Sequence, residues 1–241
     1  MERHSCGLLA AWGTAWLAGR VPYDAVIDAV VGSASHRVRG LPGHPQPVPL
    51  GWLLTAAREH GERRLLAVLP APGDPRGLPG PGAFTAAALH TGAAVRGATL
   101  GVVPETIDAE VLWTAFEVEA PPSAAAEPVP VSEADEQLQL AVRMAADALT
   151  RLDVASWRPD LASLRAPERG PRLRMPPGHD QRALGLLDRA RRLAEILDLA
   201  FADAPGGAVT SGEAGARDAA LRPLAAAVRH ALAAAYNASR R

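Results

Sequence analysis

The segment GDPRGLPGPG, residues 73–82, combines two charged side chains with several glycines and follows an apolar run, so it invites comparison with phosphate-binding loops. Such loops point successive backbone N–H groups at an anion. Three prolines remove three of those donors from this segment, which we call the Gly/Pro loop. Its glycines also fit neither G-x-G-x-x-G nor a G-K-[ST] ending. The Gly/Pro loop is therefore predicted to be a stiff turn whose main chain does not bind a nucleotide.

Two interpretations of the Gly/Pro loop remain open from its residues. In the first, Arg76 pairs with Asp74 in a solvated turn, and the rigid loop offers a surface to a partner. In the second, the loop holds an anionic ligand, because open α/β sheets bind ligands beyond the carboxyl ends of their strands. The candidate ligand-binding residues are Asp74, Arg76, Gly77 and Gly80.

A second candidate site is a proline-bounded segment at 164–178 that is rich in arginine. Residues 151–192 carry ten arginines against five acids, whereas residues 105–147 carry ten acids against one arginine. This asymmetry predicts either docking of an acidic partner or pairing between the two parts of the chain. The candidate partner-binding residues are Arg165, Arg169, Arg172 and Arg174.

Several other kinds of chemistry lack the residues they need. All 25 basic residues are arginine, which excludes every lysine-dependent mechanism and is typical of a GC-rich genome. One cysteine, Cys6, excludes an internal disulfide and a cysteine-based zinc site, and the seven histidines lack ligand spacing. Neither G-x-S-x-G nor H-E-x-x-H occurs. We therefore expect no metal and no cofactor, and the sequence favours a non-enzymatic protein.

Two histidines have neighbours that suggest chemistry but fit ordinary structural roles. His179 stands beside Asp180 directly before a predicted helix, where Asp is a common N-cap. His230 lies within a helical stretch near Tyr236 and is interpreted as an ordinary helical histidine. A formal net charge of −1 argues against a nucleic-acid partner.

The elements that position these residues form a mixed α/β unit in the first half of the chain. Helical periodicity predicts helices over 3–18, 23–31, 50–61 and 84–92. Strands are predicted over 36–40, 64–70, 93–104 and 110–120, the last two as an antiparallel pair. The continuous apolar run at 64–70 is typical of a strand buried on both faces, and the Gly/Pro loop follows it.

The first of these helices includes an apolar run at 7–19 that is too short to span a membrane. Leu9, Trp12 and Trp16 recur on one helical face, which favours a core helix over a secretory signal peptide. With the single cysteine, this predicts a cytoplasmic protein.

The second half of the chain is predicted to be helical. Prolines interrupt the chain between the halves, and Ser132 is predicted to cap the next helix. Amphipathic stripes predict helices over 133–152, 180–203 and 211–237, with Pro223 kinking or dividing the last. Met144 lies on the apolar stripe of the first of these helices and Phe201 on that of the second, so both are predicted to face the core. The predicted class is α+β, with three parts: a mixed α/β unit with a small sheet at 1–121, a Pro/Ala-rich linker at 122–131 and a helical bundle at 132–241.

Three stretches carry a family resemblance: LPAPGDPRGLPGPGAFTAAAL, the following GVVPE, and the tail AALRPLAAAVRHALAAAYN. They resemble an uncharacterised conserved protein family of GC-rich actinobacteria, and the similarity runs along most of the chain. The resemblance implies a bacterial, cytosolic setting and brings no activity, cofactor or catalytic residue with it.

Two functions of different class follow from these observations. The first is a non-enzymatic, cytosolic protein-interaction or regulatory protein, with an unidentified protein partner or self-association and no membrane contact. The alternative is a small-molecule binding protein for an anionic ligand, or an enzyme, with its site at the loop 70–82.

Overall fold

The computed structural model describes residues 2–32, 34–119, 128–151, 173–202 and 211–238. Within them the chain forms an N-terminal α/β unit followed by helices, which confirms the α+β class. The helices are α1 (Glu2–Leu17), α2 (Tyr23–Val31), α3 (Gly51–Glu59), α4 (Ala83–Thr91), α5 (Val131–Arg151), α6 (Gln181–Ala202) and α7 (Ser211–Tyr236). The strands are β1 (Ser35–Arg39), β2 (Val48–Pro49), β3 (Leu66–Val68), β4 (Ala94–Arg96), β5 (Leu100–Ile107) and β6 (Glu110–Glu117).

The six strands form one mixed sheet in the order β2-β1-β6-β5-β4-β3. Only the β1–β6 pair is parallel, and every other neighbouring pair is antiparallel. The predicted antiparallel pair is confirmed as β5 and β6, which pair from Leu100 opposite Glu117 to Ile107 opposite Glu110. The predicted strand 93–104 is wrong in extent, because the chain turns between Arg96 and Leu100 and forms two antiparallel strands instead of one.

The turn between β4 and β5 is held by a buried carboxyl group. The Glu62 side chain, only 6% exposed, accepts hydrogen bonds from the backbone N–H groups of Ala98 (2.6 Å), Thr99 (2.7 Å) and Leu100 (3.0 Å). It also accepts one from the Thr99 hydroxyl at 3.0 Å. A Cβ on Gly97 would lie 2.2 Å from the Glu62 Cδ, so this turn requires glycine there. Within a sheet, these backbone N–H groups would donate to a neighbouring strand. Because the chain turns here, the Glu62 carboxylate accepts their hydrogen bonds instead.

Helix α1 is a core element, as its tryptophan stripe predicted. Every residue from Ser5 to Trp16 is buried, and the helix packs on α2, on strands β3, β4 and β5, and on α7. The Thr14 hydroxyl donates to the Leu65 carbonyl (3.0 Å) and accepts from the Leu65 N–H (2.9 Å). These two bonds fix α1 to the residue that precedes β3. No helix in the described part of the chain has the length and apolarity of a membrane span.

Alanine forms a larger share of the buried faces of the C-terminal helices than the predicted stripes indicated. Helices α5 and α6 both lie along α7, and the buried face of α5 consists of Ala134, Leu138, Ala141 and Ala145. Met144, predicted to lie on that face, is 56% exposed, and Phe201 of α6 is 36% exposed. Small side chains let helices approach closely and leave longer neighbours outside the interface.

Two predictions about helix ends are corrected, and one is confirmed. Helix α5 begins at Val131, so Ser132 lies within its first turn rather than before it. Of the two alternatives predicted for Pro223, division of the last helix is wrong, because α7 continues through it from Ser211 to Tyr236, and a kink stays a prediction. Asp180 caps α6 as predicted, since its carboxylate accepts from the N–H groups of Arg182 (2.7 Å) and Ala183 (3.4 Å).

Helices α1 and α7 meet at a glycine. A Cβ on Gly7 would lie 2.4 Å from the Tyr236 ring, which is 2% exposed. We expect Gly7→Ala to lower the free energy of unfolding by about 1–3 kcal/mol, because the ring must leave its packed position. Gly185→Ala in α6 is the matched control, since nothing lies within 4 Å of its added Cβ. It should raise stability by about 0.5–1 kcal/mol through helix propensity, and urea denaturation of both variants measures the contrast.

Candidate functional site

The candidate site lies where the C-terminal end of α7 packs against β3, which is an edge strand of the sheet. The Asn237 side chain accepts from the Ala67 N–H (2.8 Å) and donates to the Ala67 carbonyl (2.9 Å), which is the pairing a further strand would provide. The Arg64 guanidinium donates to the Asn237 carbonyl at 2.6 Å. The apolar run 65–70 is buried throughout although β3 is an edge strand, because α1 and α7 both pack on β3 and Val68 packs in a separate cluster with Leu78 and Phe84.

The Gly/Pro loop follows β3, and side chains of β3 and β4 contact it and fix its position. Arg96 of β4 donates from Nε to the Gly77 carbonyl at 2.6 Å. Gly77 has a φ of +85°, and a Cβ there would lie 2.8 Å from Val68 Cγ1, so both conformation and space require glycine. Inside the loop, the Asp74 N–H donates to the Ala71 carbonyl at 2.8 Å. Part of the loop's main chain is thus already engaged.

Asp74 connects the Gly/Pro loop to α7. Its Oδ2 atom lies 2.7 Å from His230 Nε2 and accepts from the Arg229 guanidinium at 3.1 Å. On the loop itself, Arg76 Nε lies 3.9 Å from Asp74 Oδ1. The contact between Arg76 and Asp74 that the turn interpretation expected is present, and two residues of α7 join it.

The electrostatics of this group favour an ionised Asp74 beside a neutral His230. Burial opposes ionisation of Asp74, but its hydrogen bonds and charge contacts with His230 and Arg229 outweigh burial and lower the pKa of its carboxyl. Burial also lowers the pKa of His230, and the Arg76 and Arg229 guanidiniums add to this against the opposing effect of Asp74. The neutral His230 therefore donates its Nε2–H to the Asp74 carboxylate.

A cavity of about 80 Å³ lies between β3, the Gly/Pro loop and α7. Its polar lining includes the side chains of Arg76, Arg96, Arg229 and His230, and its apolar lining comes mainly from residues 66–69 and the alanines of α7. The Arg229 Nε atom is buried and has no hydrogen-bond partner among the described residues. Three arginines thus line one small cavity, and the Asp74 carboxylate contacts the guanidiniums of two of them, Arg76 and Arg229.

The structure distributes the predicted site residues unevenly. Arg76 and Gly77 line the cavity, and Asp74 binds the side chains beside it, whereas Gly80 is not among the described lining residues. The Gly80 carbonyl instead accepts from the Thr85 hydroxyl at the start of α4. Of the predicted partner-binding residues, Arg165, Arg169 and Arg172 lie outside the described residues. Arg174 is described and exposed, and its carbonyl accepts from Trp12 Nε1 at 3.0 Å.

Sequence reasoning missed three residues of this site. His230 was interpreted as an ordinary helical histidine, yet it binds Asp74 across 156 positions of sequence. Arg229 was not singled out at all. Arg96 had a visible signal, because a charged residue inside an apolar strand must find partners when the strand is buried. Among the residues that the structure describes, no group of three His, Cys, Asp or Glu side chains could hold a metal ion.

A histidine at the α1–α7 contact makes stability depend on pH. Burial, followed by the charges of Arg191 and the amino terminus, lowers the pKa of His4 from its ordinary value of 6.5 to about 4. The unfolded chain binds a proton there at higher pH than the folded chain, so this contribution is complete above pH 6.5 and is lost as the pH falls toward 4. Burial lowers the pKa of His36 and of His179 as well, which acts in the same direction.

We therefore expect the urea midpoint to fall when the pH is lowered from about 7.5 to 5. The variant His4→Gln should show a smaller fall, because its side chain still accepts from the Tyr236 hydroxyl but does not titrate. An equal fall in both proteins would show that His4 has no part in the effect.

The chain is similar to known proteins along nearly its whole length. Models of the N-terminal and C-terminal domains of Rv1486c-like proteins match residues 6–128 and 132–233. Two Mycobacterium tuberculosis proteins are each 30% identical over 277 aligned positions, which cover 95% of this chain and 95% of theirs. They are "Uncharacterized protein Rv1486c" of strain ATCC 25618 / H37Rv and "Uncharacterized protein MT1533" of strain CDC 1551 / Oshkosh. No solved structure matches. The actinobacterial resemblance is confirmed, and the chain belongs to the Rv1486c-like protein family.

Proposed function

We propose that the protein binds a small anionic group, a phosphate or a carboxylate, in the cavity between β3, the Gly/Pro loop and α7. The observation that carries this proposal is the convergence of Arg76, Arg96 and Arg229 on one cavity whose polar wall otherwise includes His230. Guanidinium groups bind carboxylates and phosphates through paired N–H donors.

The charge balance of the site supports this choice. Asp74 is bound by Arg229 and contacts Arg76, whereas Arg96 holds the Gly77 carbonyl and has the charge of Glu62 near it. The Asp74 carboxylate therefore contacts two guanidiniums. The buried Arg229 Nε–H has no hydrogen-bond acceptor among the described residues. An anion in the cavity would accept from such a donor and reduce the repulsion between the guanidiniums.

The size of the cavity limits the ligand. A volume of about 80 Å³ is several times the roughly 10–15 Å³ that one water needs. It is far below the roughly 300–1,000 Å³ of pockets that enclose drug-sized ligands. The cavity therefore suits the anionic end of a ligand and not an enclosed nucleotide, which agrees with a loop whose prolines carry no N–H.

Titration calorimetry and thermal unfolding with inorganic phosphate and with acetate test this proposal. At a ligand concentration about 100 times the dissociation constant, binding stabilises the folded state by about 2.7 kcal/mol. For a chain of this length that raises Tm by roughly 5–10 °C. We expect Arg76→Gln to weaken binding at least about tenfold, because its half-exposed side chain supports the anion more than the fold.

The exposed Arg222 of α7 offers the matched control. Arg222→Gln removes the same charge from the same helix outside the cavity and should leave the affinity unchanged. Equal loss in both variants would mean that only the net charge of the protein matters. No stabilisation by either anion would refute the proposal.

A protein-interaction role through self-association is the second candidate, and exposed apolar side chains favour it. Leu140 and Met144 are 51% and 56% exposed on α5, and Ile196 and Leu199 are 49% and 55% exposed on α6. Helix α5 carries four carboxyl groups against two arginines, whereas α6 carries four arginines against three carboxyl groups. A two-fold dimer that places α5 of one copy against α6 of the other would bury the apolar groups and match these charges.

Light scattering after size-exclusion chromatography tests the dimer. We expect wild type to have the mass of a dimer, and the double variant Met144→Asp/Ile196→Asp to have the mass of a monomer. Thr150→Asp, at an exposed position on α5, should remain dimeric. A monomeric wild type at high protein concentration would exclude this role.

We also infer a cytoplasmic location. Support comes from the place of α1 in the core and from Cys6, a buried free thiol whose pKa is raised, mainly by burial. Cell fractionation with antibodies to the native protein tests this, and recovery outside the cytoplasmic fraction would contradict it.

A further inference from the structure

A larger cavity, of about 450 Å³, lies between α1, α2, α6 and residues 173–174. Its volume falls within the roughly 300–1,000 Å³ typical of small-molecule sites. The described residues that line it are all different from those that line the cavity of the proposed function. The two cavities can therefore be tested independently.

One part of its wall is apolar. The apolar lining residues are Leu8, Trp12, Ala25, Ala29 and Leu173. The Trp12 indole N–H is already used, because it donates to the Arg174 carbonyl at 3.0 Å. Trp12 therefore contributes only ring carbons to a ligand, held at a fixed place in the wall. Such a wall accepts an aliphatic or aromatic body.

The other part of the wall is charged, with a small excess of positive charge. The charged lining residues are Arg174, Arg191 and Asp28. Neither guanidinium forms an ion pair with a described residue. Two cations against one acid favour a ligand with a single negative charge over a dianion, which Asp28 would repel.

His4 adds a neutral hydrogen-bond donor to this wall. Its Nδ1 atom lies 3.1 Å from the Tyr236 hydroxyl. Burial raises the pKa of Tyr236 to about 12, so the hydroxyl keeps its proton and can donate it to His4 Nδ1. In the tautomer that accepts at Nδ1, the imidazole carries its proton on Nε2 and can donate it to a ligand oxygen.

We propose that this cavity binds a monocarboxylic acid with an apolar body. The carboxylate lies against the guanidiniums of Arg174 and Arg191, and the body lies against Leu8, Trp12 and Ala29. Paired N–H donors of arginine match the two oxygens of a carboxylate, and the apolar lining gains from the removal of ligand carbon from water.

Calorimetric titration of the full-length protein with phenylacetate and with hexanoate tests the proposal. We expect both acids to bind. Phenylacetamide, which has the same shape and no charge, should bind at least about tenfold more weakly. Succinate, a dianion without an apolar end, should also bind at least about tenfold more weakly. Equal binding of the amide, or absence of binding by both acids, would overturn the proposal.

Two pairs of variants place the binding in this cavity. Arg191→Gln should weaken phenylacetate binding at least about tenfold, whereas Arg192→Gln at the exposed next position should leave it unchanged. Ala29→Leu should abolish binding by filling the cavity, and Ala146→Leu on an exposed face should not. Binding that survives both Arg191→Gln and Ala29→Leu would show that the acid binds elsewhere.

The same titration separates this site from that of the proposed function. The part of phenylacetate binding that Arg191→Gln removes should persist in Arg76→Gln, because Arg76 lines the other cavity, where any weaker binding of the carboxylate alone would be counted separately. Loss of phenylacetate binding in Arg76→Gln would assign the acid to the cavity beside the Gly/Pro loop and overturn the assignment made here.

Discussion

Replacing Glu62 with alanine is expected to lower the free energy of unfolding by about 3–5 kcal/mol. The substitution leaves the N–H groups of Ala98, Thr99 and Leu100 without the carboxyl oxygens that they now contact at 2.6–3.0 Å. Leu100 is 4% exposed, so water cannot fully replace the lost acceptor there. Donors left buried without an acceptor cost about 1–3 kcal/mol each. Urea denaturation followed by circular dichroism measures the loss.

Two variants separate this explanation from a general effect of charge. Glu62→Gln keeps one oxygen and places an amide N–H₂ against the Ala98 N–H, so we expect a smaller loss, of about 1–3 kcal/mol. Glu59→Ala removes a carboxyl group from an exposed position at the end of α3 and should change stability by less than about 0.5 kcal/mol. If Glu62→Ala proved as stable as Glu59→Ala, the β4–β5 turn would have to be held by something other than Glu62.

The second large effect is expected at Asn237. Asn237→Ala removes both hydrogen bonds to Ala67, which is 1% exposed, and leaves a buried N–H and a buried carbonyl at the sheet edge. We expect a loss of about 2–5 kcal/mol. At roughly 2–4 °C per kcal/mol for a chain of this length, Tm should fall by about 5–15 °C.

Gln137→Ala is the control for Asn237→Ala. Its amide is exposed on α5 and donates only to Glu133 Oε1 at 3.0 Å, so stability should change by less than about 0.5 kcal/mol. Hydrogen exchange adds a local measurement. The Ala67 amide should lose protection in Asn237→Ala, and unchanged protection there would mean that the bond to Asn237 does not control the strand edge.

Local sequence patterns predicted most of the elements because local forces specify them. The tryptophan stripe of α1 and the Asp180 cap of α6 each depend on neighbours within a few positions. The same patterns failed where small residues decide the packing. Met144 and Phe201 had the right spacing for the core, but alanine filled the helix interfaces and left them outside.

The edge of the sheet could not be predicted from these patterns. A continuous apolar run indicates that a strand is buried, and it does not reveal what buries it. Here β3 lies at the edge, and Asn237 covers it from 170 positions away. No local rule connects an asparagine at a helix end with a strand so distant in sequence, because the pairing depends on the tertiary path of α7.

The candidate site shows the same limit. Arg76 and Asp74 are neighbours in sequence, so their contact could be expected from turn chemistry alone. Arg229 and His230 reach Asp74 only because α7 returns along the edge of the sheet. The missing N–H groups favour side chains as the groups that would bind an anion, but the loop sequence does not identify the arginines of β4 and α7 that line the cavity.

The central claim is that side chains around the Gly/Pro loop, and not its main chain, bind an anion. Anomalous diffraction from crystals soaked in selenate, an analogue of phosphate, tests this most directly. We expect a selenium peak in the cavity, within hydrogen-bonding distance of the guanidiniums of Arg76 and Arg229. A peak seated instead on the backbone N–H groups of residues 76–82, or a cavity without a peak at a selenate concentration that stabilises the protein in solution, would contradict it.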